Sequence, residues 1–294
     1  MDYRSDLKNL KPSHKFFIGI DSDGCVFDTM EVKQKEFFIP NALKYFNLFP
    51  ISKLLRETWE FVNLYSVHRG GNRYISIIKV FELLGEREEI KNSDCILPDL
   101  ESLKEWVKSE TKLGTQSLKR YFEFNRDPYL AKLVRWTDAV NSDIGEWLHK
   151  IPPFPNARRA VQMMHSKADL IIASQTPADA VTREWEENNL INYITAIAGQ
   201  EHGTKSEHIE MAAKGKYPEN KILMIGDAIG DLVAAEKNKI LFYPIIPGNE
   251  DKFWGDFIDE GFPKFLGGTF RGAYERSLIT KFKKSLPEIP PWKK

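Results

Sequence analysis

Phe16 to Ile20 is a short run of β-forming residues that stops at Asp21-Ser22-Asp23-Gly24, the pattern of a buried strand running into a polar loop. From about Thr29 to Lys150 the period changes. Apolar positions recur at helical spacing, as at Ile75, Ile78, Val80, Phe81, Leu83 and Leu84, with interruptions at Gly70-Gly71, Gly85 and Pro98, so this block is predicted to be nearly all helix. After the proline-rich stretch Ile151 to Pro155, strands are predicted at Asp169 to Ala173, Tyr193 to Ala198, Lys221 to Ile225 and Ile240 to Ile245. Helices fall between them, at about Ala157 to Lys167, Ala178 to Asn189, Ser206 to Lys214 and Asp231 to Asn238. Short β-rich runs alternating with helices predict a parallel sheet covered on both faces, with Phe16 to Ile20 as its first member.

The helical block therefore interrupts an α/β domain between its first strand and the rest. The expected organisation is a loose leader at 1–15, an α/β core built from 16–28 and 151–246, an inserted helical domain at 29–150 and an extension at 247–294. The extension is rich in aromatic residues (Phe253, Trp254, Phe257, Phe262, Phe265, Phe270), which suits packing on the core or on a partner; ligand contact is the other use for such a surface.

Composition narrows the class. A chain of 294 residues with 42% hydrophobic and 29% charged residues can bury a sizeable core. Lysine plus arginine equals aspartate plus glutamate at 42 each, so net charge points neither to nucleic acid nor to an anionic membrane surface. The apolar runs fall far short of the roughly 18 residues that suggest a membrane span, and the polar start MDYRSDLKNLKPSHK has no apolar signal segment. With two cysteines only, Cys25 and Cys95, free thiols in a reducing compartment are expected, hence a cytoplasmic protein. A monomer or homodimer is expected, with nothing in the sequence deciding between them.

Ligands of parallel α/β sheets bind at the carboxyl ends of the strands, so the residues after each predicted strand belong together. These are Asp21 and Asp23 after the first strand, Ser174 after the second, and Asp227 and Asp231 after the fourth, with Lys205 just ahead of a helix. Several carboxylates with one lysine and one hydroxyl at a single rim suit a divalent cation and a phosphate. Each has a plainer alternative: Asp227 and Asp231 also suit a helix N-terminus, Ser174 has Gln175 and Thr176 as neighbours able to compete for its role, and Lys205 could be a solvated surface charge. Arg69 and Arg73 flank Gly70-Gly71 in the helical block, where guanidinium groups suit an anionic substrate group or else a solvated helix connection.

DSDGCVFDT at Asp21 to Thr29 resembles the first signature of the haloacid dehalogenase-like (HAD) superfamily, DxDGxxxD followed by a small hydroxyl residue. Ser174, Lys205 and GDAIGD at Gly226 to Asp231 resemble the second, third and fourth, in the family's order and in matching strand context. The resemblance implies a Rossmann-like parallel-sheet core with an inserted, mainly α-helical cap, and Mg2+-dependent hydrolysis of a small-molecule phosphate monoester. Asp21 would be the nucleophile that forms an aspartyl-phosphate, and Asp23 the acid and base. Asp21, Asp227 and the backbone carbonyl of Asp23 would hold Mg2+. Ser174 and Lys205 would hold the phosphoryl oxygens, Asp231 would orient Lys205 or a metal-bound water, and a cap loop with Arg69 and Arg73 would contact substrate.

Within the superfamily, dehalogenases lack the carboxylate at the Asp23 position, and phosphonate-cleaving members need a cap lysine that does not declare itself here. A phosphomutase shares every core residue and stays open as an alternative. A non-catalytic binding module on the same scaffold is the other, opposed by the completeness of the motif set.

Overall fold

Continuous apolar runs such as FFIGI and ILMIG suit strands buried on both faces, because alternation is needed only where one face meets water. In the computed structural model, which describes residues 7–293, they form such strands. Among the described residues β1 (Phe16–Ile20), β2 (Ala168–Ala173), β3 (Ala196–Ala198), β4 (Ile222–Gly226) and β5 (Leu241–Pro244) make one five-stranded sheet in the order β3-β2-β1-β4-β5, each neighbouring pair parallel. Ile20 lies opposite both Ile172 and Ile225, so the loops after β1, β2 and β4 leave the sheet at one edge.

Successive residues of a strand serve opposite layers. Ile18, Ile20, Leu170, Ile172, Leu223 and Ile225 share one apolar cluster, whereas Phe17, Ile171, Met224 and Phe242 belong to another. Gly19, on the central strand, lies against the helix Lys205–Ala213, and a Cβ there would force the Ile209 side chain of that helix to move. That helix consequently packs close to the sheet and carries Lys205 at its first turn.

The chain divides into two compact units, the described part of Met1–Met30 with His149–Pro287, and Glu31–Leu148 with the described part of Glu288–Lys294. The first holds the sheet. The second is helical, with long helices at Ser52–Leu64, Arg73–Gly85 and Pro128–Trp147 around the buried rings of Trp59, Trp106 and Trp136. Ile75, part of the spacing that predicted a helix here, faces outward at 50% exposure.

Three expectations need correction. The run Tyr193 to Ala198 is a strand only over Ala196–Ala198; Ile191–Tyr193 forms a 3-10 turn. Ile191 and Ile194 are three residues apart and both reach the core, as residues at that spacing do on a 3-10 turn. The leader is not loose where it is described: Leu7 is buried against the sheet, and the backbone N–H groups of Ser13 and His14 donate to Asp169 Oδ2 at 2.9 Å each. Residues 1–6 lie outside the described residues. The 247–294 extension is not one piece. Trp254, Phe257, Phe262, Phe265 and Phe270 pack in the α/β unit, whereas Trp292 packs in the helical unit, edge-on to Phe61 at 5.4 Å and under the Arg87 guanidinium at 4.6 Å.

Candidate active site

The residue after β1 is Asp21, whose backbone N–H still donates to Ile225 O of β4 at 3.0 Å. The chain then turns sharply through Gly24 at φ +76°, a left-handed conformation that glycine adopts without strain. The turn is held from inside: Ser22 O accepts the N–H groups of Cys25, Val26 and Phe27. Asp21 is 4% exposed and Asp227, after β4, is fully buried. β1 and β4 are neighbours, and from them the sheet proceeds in opposite directions, which puts both aspartates at the point where strand order reverses.

Lys205 Nζ lies 2.6 Å from Asp21 Oδ2 and 2.6 Å from Asp231 Oδ1, so one ammonium bridges two carboxylates. Thr204 caps the lysine's helix, with Glu207 Oε2 accepting from Thr204 N at 2.6 Å, and that cap fixes where Lys205 begins its reach. Asp231 stands in the first turn of the helix Ile229–Asn238, which begins two residues earlier than the predicted start at Asp231, and its Oδ2 accepts from Ala228 N at 3.0 Å. Gly226 is required beside it, since a Cβ at that position would overlap the Asp231 carboxyl.

Burial pushes the Asp21 carboxyl up to about 7, with Lys205 pulling it back and Asp227 adding to the rise. Burial likewise raises Asp231 to about 6 against the pull of Lys205. For Lys205, burial works against the charge, but Asp21, Asp231 and Asp227 outweigh it and hold the ammonium above its ordinary range.

Oxygens of Asp21, Asp227 and Asp231 all lie within 4.8 Å of one another, and all three residues are buried. One lysine does not balance three carboxylates, and uncompensated buried charge is costly, so the cluster has the composition of a cation site. All-oxygen donors suit a hard divalent ion such as Mg2+. The Asp23 carboxylate is not in this cluster. It is half-buried and accepts from Thr29 Oγ1 at 2.6 Å and from Thr176 Oγ1 at 2.7 Å.

Ser174 is buried at the end of β2, where its Oγ accepts from Thr176 N at 3.1 Å. Of the neighbouring hydroxyls it is thus Thr176, one of its competitors in the sequence, that meets a carboxylate of the set. Gln175 Nε2 donates to Gly203 O at 3.1 Å and links this loop to the one that leads into Lys205. Thr29 is the hydroxyl that closes the first motif, whereas Thr176 carries no sequence signal beyond being a hydroxyl beside Ser174, and their joint contact with Asp23 depends on the pairing of β1 with β2.

Arg69 and Arg73 belong to the helical unit. Arg69 is buried and its guanidinium donates to Leu64 O at 2.9 Å, while Arg73 donates to Asn141 Oδ1 at 2.8 Å and lies 4.9 Å over the Phe38 ring. These contacts are internal to that unit. Among the described residues no helix is long and apolar enough to cross a membrane.

Comparison with known proteins adds a family signal. A model described as haloacid dehalogenase-like hydrolase matches residues 92–244, which include Ser174, Lys205, Asp227 and Asp231. No curated protein matches. A predicted phosphoglycolate phosphatase from Haemophilus somnus 129pt superposes with a TM-score of 0.50 at 14% identity, covering 84% of this chain and 98% of that one. A hydrolase from Pseudomonas syringae gives 0.45 at 16% identity (84% and 98% covered), and a predicted phosphatase from Clostridium acetobutylicum gives 0.44 at 16% (87% and 100%). At 14% identity the likeness to the Haemophilus somnus protein is one of fold.

Proposed function

The chain belongs to the haloacid dehalogenase-like hydrolase family, and from that premise we propose that it hydrolyses a small-molecule phosphate monoester through an aspartyl-phosphate on Asp21, with Mg2+ held by Asp21 and Asp227. The observation that carries this reading is the placement of Asp21: a buried carboxylate at the end of the central strand, 2.6 Å from Lys205 and within 4.8 Å of two further buried aspartates. Bound Mg2+ supplies positive charge that lessens the repulsion between an anionic nucleophile and an anionic substrate.

The chain's own residues carry the rest. An Asp21 carboxylate oxygen forms a bond to phosphorus as the bond from phosphorus to the ester oxygen breaks. Asp23 gives its proton to the departing oxygen, and the alcohol leaves. In the second half Asp23 takes a proton from water, the water oxygen attacks the phosphorus, and the bond to Asp21 breaks to release phosphate. Asp23 must exchange a proton twice, and Thr29 and Thr176 hold both of its oxygens in place for that work. Lys205 offers its ammonium to charge developing on the phosphoryl oxygens, and Asp231 keeps it aimed. The Ser174 hydroxyl at the end of β2 is a further donor to a phosphoryl oxygen. Two free thiols, one of them buried, suit a reducing compartment and hence the cytoplasm.

The test is release of inorganic phosphate from a panel of small phosphomonoesters, with Mg2+ and with EDTA, by wild type and Asp21→Asn. Metal-dependent release that vanishes in Asp21→Asn is the expected result. Release that survives the substitution refutes the mechanism. No release, with interconversion of a sugar phosphate instead, would reassign the same site to a phosphomutase.

A further inference from the structure

The residue between the two motif aspartates, Ser22, is fully buried and engaged through every polar atom it has. Its backbone N–H donates to Asp21 Oδ1 at 2.8 Å. Its carbonyl accepts the N–H groups of Cys25, Val26 and Phe27 at 3.2, 2.9 and 3.3 Å. Its hydroxyl lies 2.8 Å from Glu184 Oε2 and 2.9 Å from Trp185 Nε1, on the helix Ala178–Glu187 that follows the Ser174–Thr176 loop. An indole N–H only donates and an ionised carboxylate only accepts, so the hydroxyl has one possible orientation: it accepts from Trp185 and donates to Glu184. Trp185 is itself fully buried and packs edge-on against Phe27 of the same loop, ring centres 5.5 Å apart.

We propose that Glu184 and Trp185 are positioning residues for the nucleophile, acting through Ser22. The two bonds to the hydroxyl fix the Ser22 side chain, and with it the peptide plane between Asp21 and Ser22. That plane aims the Ser22 N–H at Asp21 Oδ1, which leaves Oδ2 facing Lys205. Trp254, whose Nε1 donates to Cys25 O at 2.8 Å, closes the loop from another side, so one end of the loop is set by the Ser22 tie and the other by Trp254. A buried serine here satisfies the fully buried Trp185 indole N–H, and its removal frees the nucleophile to turn away from Lys205.

The inference rests on the phosphohydrolase reading for its kinetic effect but not for its structural one, and the experiment separates the two. Crystal structures of wild type, Ser22→Ala and Trp185→Phe report the Asp21 rotamer whether or not any substrate is turned over. Asp21 in more than one rotamer, or with Oδ2 off Lys205, is expected in both variants; an unmoved Asp21 in both overturns the proposal. On a phosphomonoester that wild type hydrolyses, kcat is expected to fall on the order of 10- to 100-fold with KM changed less than about twofold. The double variant Ser22→Ala/Trp185→Phe should be no worse than the poorer single variant, because both cut the same tie. Glu184→Gln, which keeps an accepting oxygen without the charge, should retain most of kcat. Additive losses, a loss confined to KM, or Glu184→Gln as damaging as Ser22→Ala would each overturn positioning through this tie. Absence of turnover in wild type would count against the proposed function alone.

Discussion

Lys205 is the one side chain whose removal should expose the electrostatic cost of this site. Its ammonium is 2.6 Å from both Asp21 and Asp231, and the carboxylates are 5% and fully buried at 0% side-chain exposure respectively. Lys205→Met keeps the length and bulk of the stem and deletes the charge. Breaking a buried ion pair by removing one partner costs about 3–5 kcal/mol, because the other charge is left uncompensated. At roughly 2–4 °C per kcal/mol for a chain of 150–250 residues, the melting temperature of the α/β unit should fall by roughly 6–20 °C. The loss should depend on pH in a stated direction. Asp21 and Asp231 already have carboxyls raised from 3.8 to about 7 and about 6, with Lys205 restraining both, so the variant raises them further. A carboxyl with a raised folded-state pKa contributes stability that is fully present below its unfolded pKa and is lost as pH rises through the folded one. The deficit of Lys205→Met should therefore be largest near pH 8 and small near pH 5, where the freed carboxyls bind protons. Calorimetric melting in EDTA at both values reads this directly, and Mg2+ added at pH 8 should recover part of the loss. A variant within about 1 kcal/mol of wild type at pH 8, or one equally destabilised at both values, would refute the argument.

Other expectations follow from single contacts. Gly226→Ala drives a Cβ into the Asp231 carboxyl and displaces it from Lys205, so phosphate release should drop on the order of 100-fold; activity within twofold of wild type would show that the site can give way. Asp169, on β2, accepts from Ser13 N, His14 N and Tyr217 Oη; burial opposes its charge, but the Tyr217 and His14 bonds outweigh it and hold the carboxyl below the ordinary 3.8. Its stabilisation is present above the unfolded pKa and lost as pH falls through the folded one, so Asp169→Asn should cost about 3 kcal/mol in urea unfolding at pH 7 and progressively less below pH 3.8. An equal deficit at pH 7 and pH 3 would remove that explanation.

The elements that could be read from the chain are those whose signal is local. β1 and β4 are continuous apolar runs stopped by Asp21 and by Gly226-Asp227, and burial on both faces leaves such runs few other conformations. The run that failed, Tyr193 to Ala198, did so because Ile191 and Ile194 reach the core from a 3-10 turn as readily as alternate residues reach it from a strand. The helical block was legible by period, but the exposure of Ile75 was not, since periodicity says which residues share a face only when the helix ends are known.

The candidate site residues Asp21, Asp227, Lys205 and Asp231 were nameable from motif spacing and strand ends. Their partners were not. Whether Ser174 or Thr176 meets Asp23 depends on the conformation of a three-residue loop and on the pairing of β1 with β2. Ser22 looks like a spacer between two aspartates until the fold brings Glu184 and Trp185 to its hydroxyl, from more than 160 positions away. The aromatic extension carried no mark of its two destinations, Trp254 to Phe270 in one unit and Trp292 in the other. By itself the sequence determined where the strands stop and which carboxylates stand at their ends, because backbone preference and burial act over a few residues. Tertiary structure alone decided which hydroxyl, indole or ammonium each carboxylate meets, because those bonds depend on strand order and helix placement that no local pattern encodes.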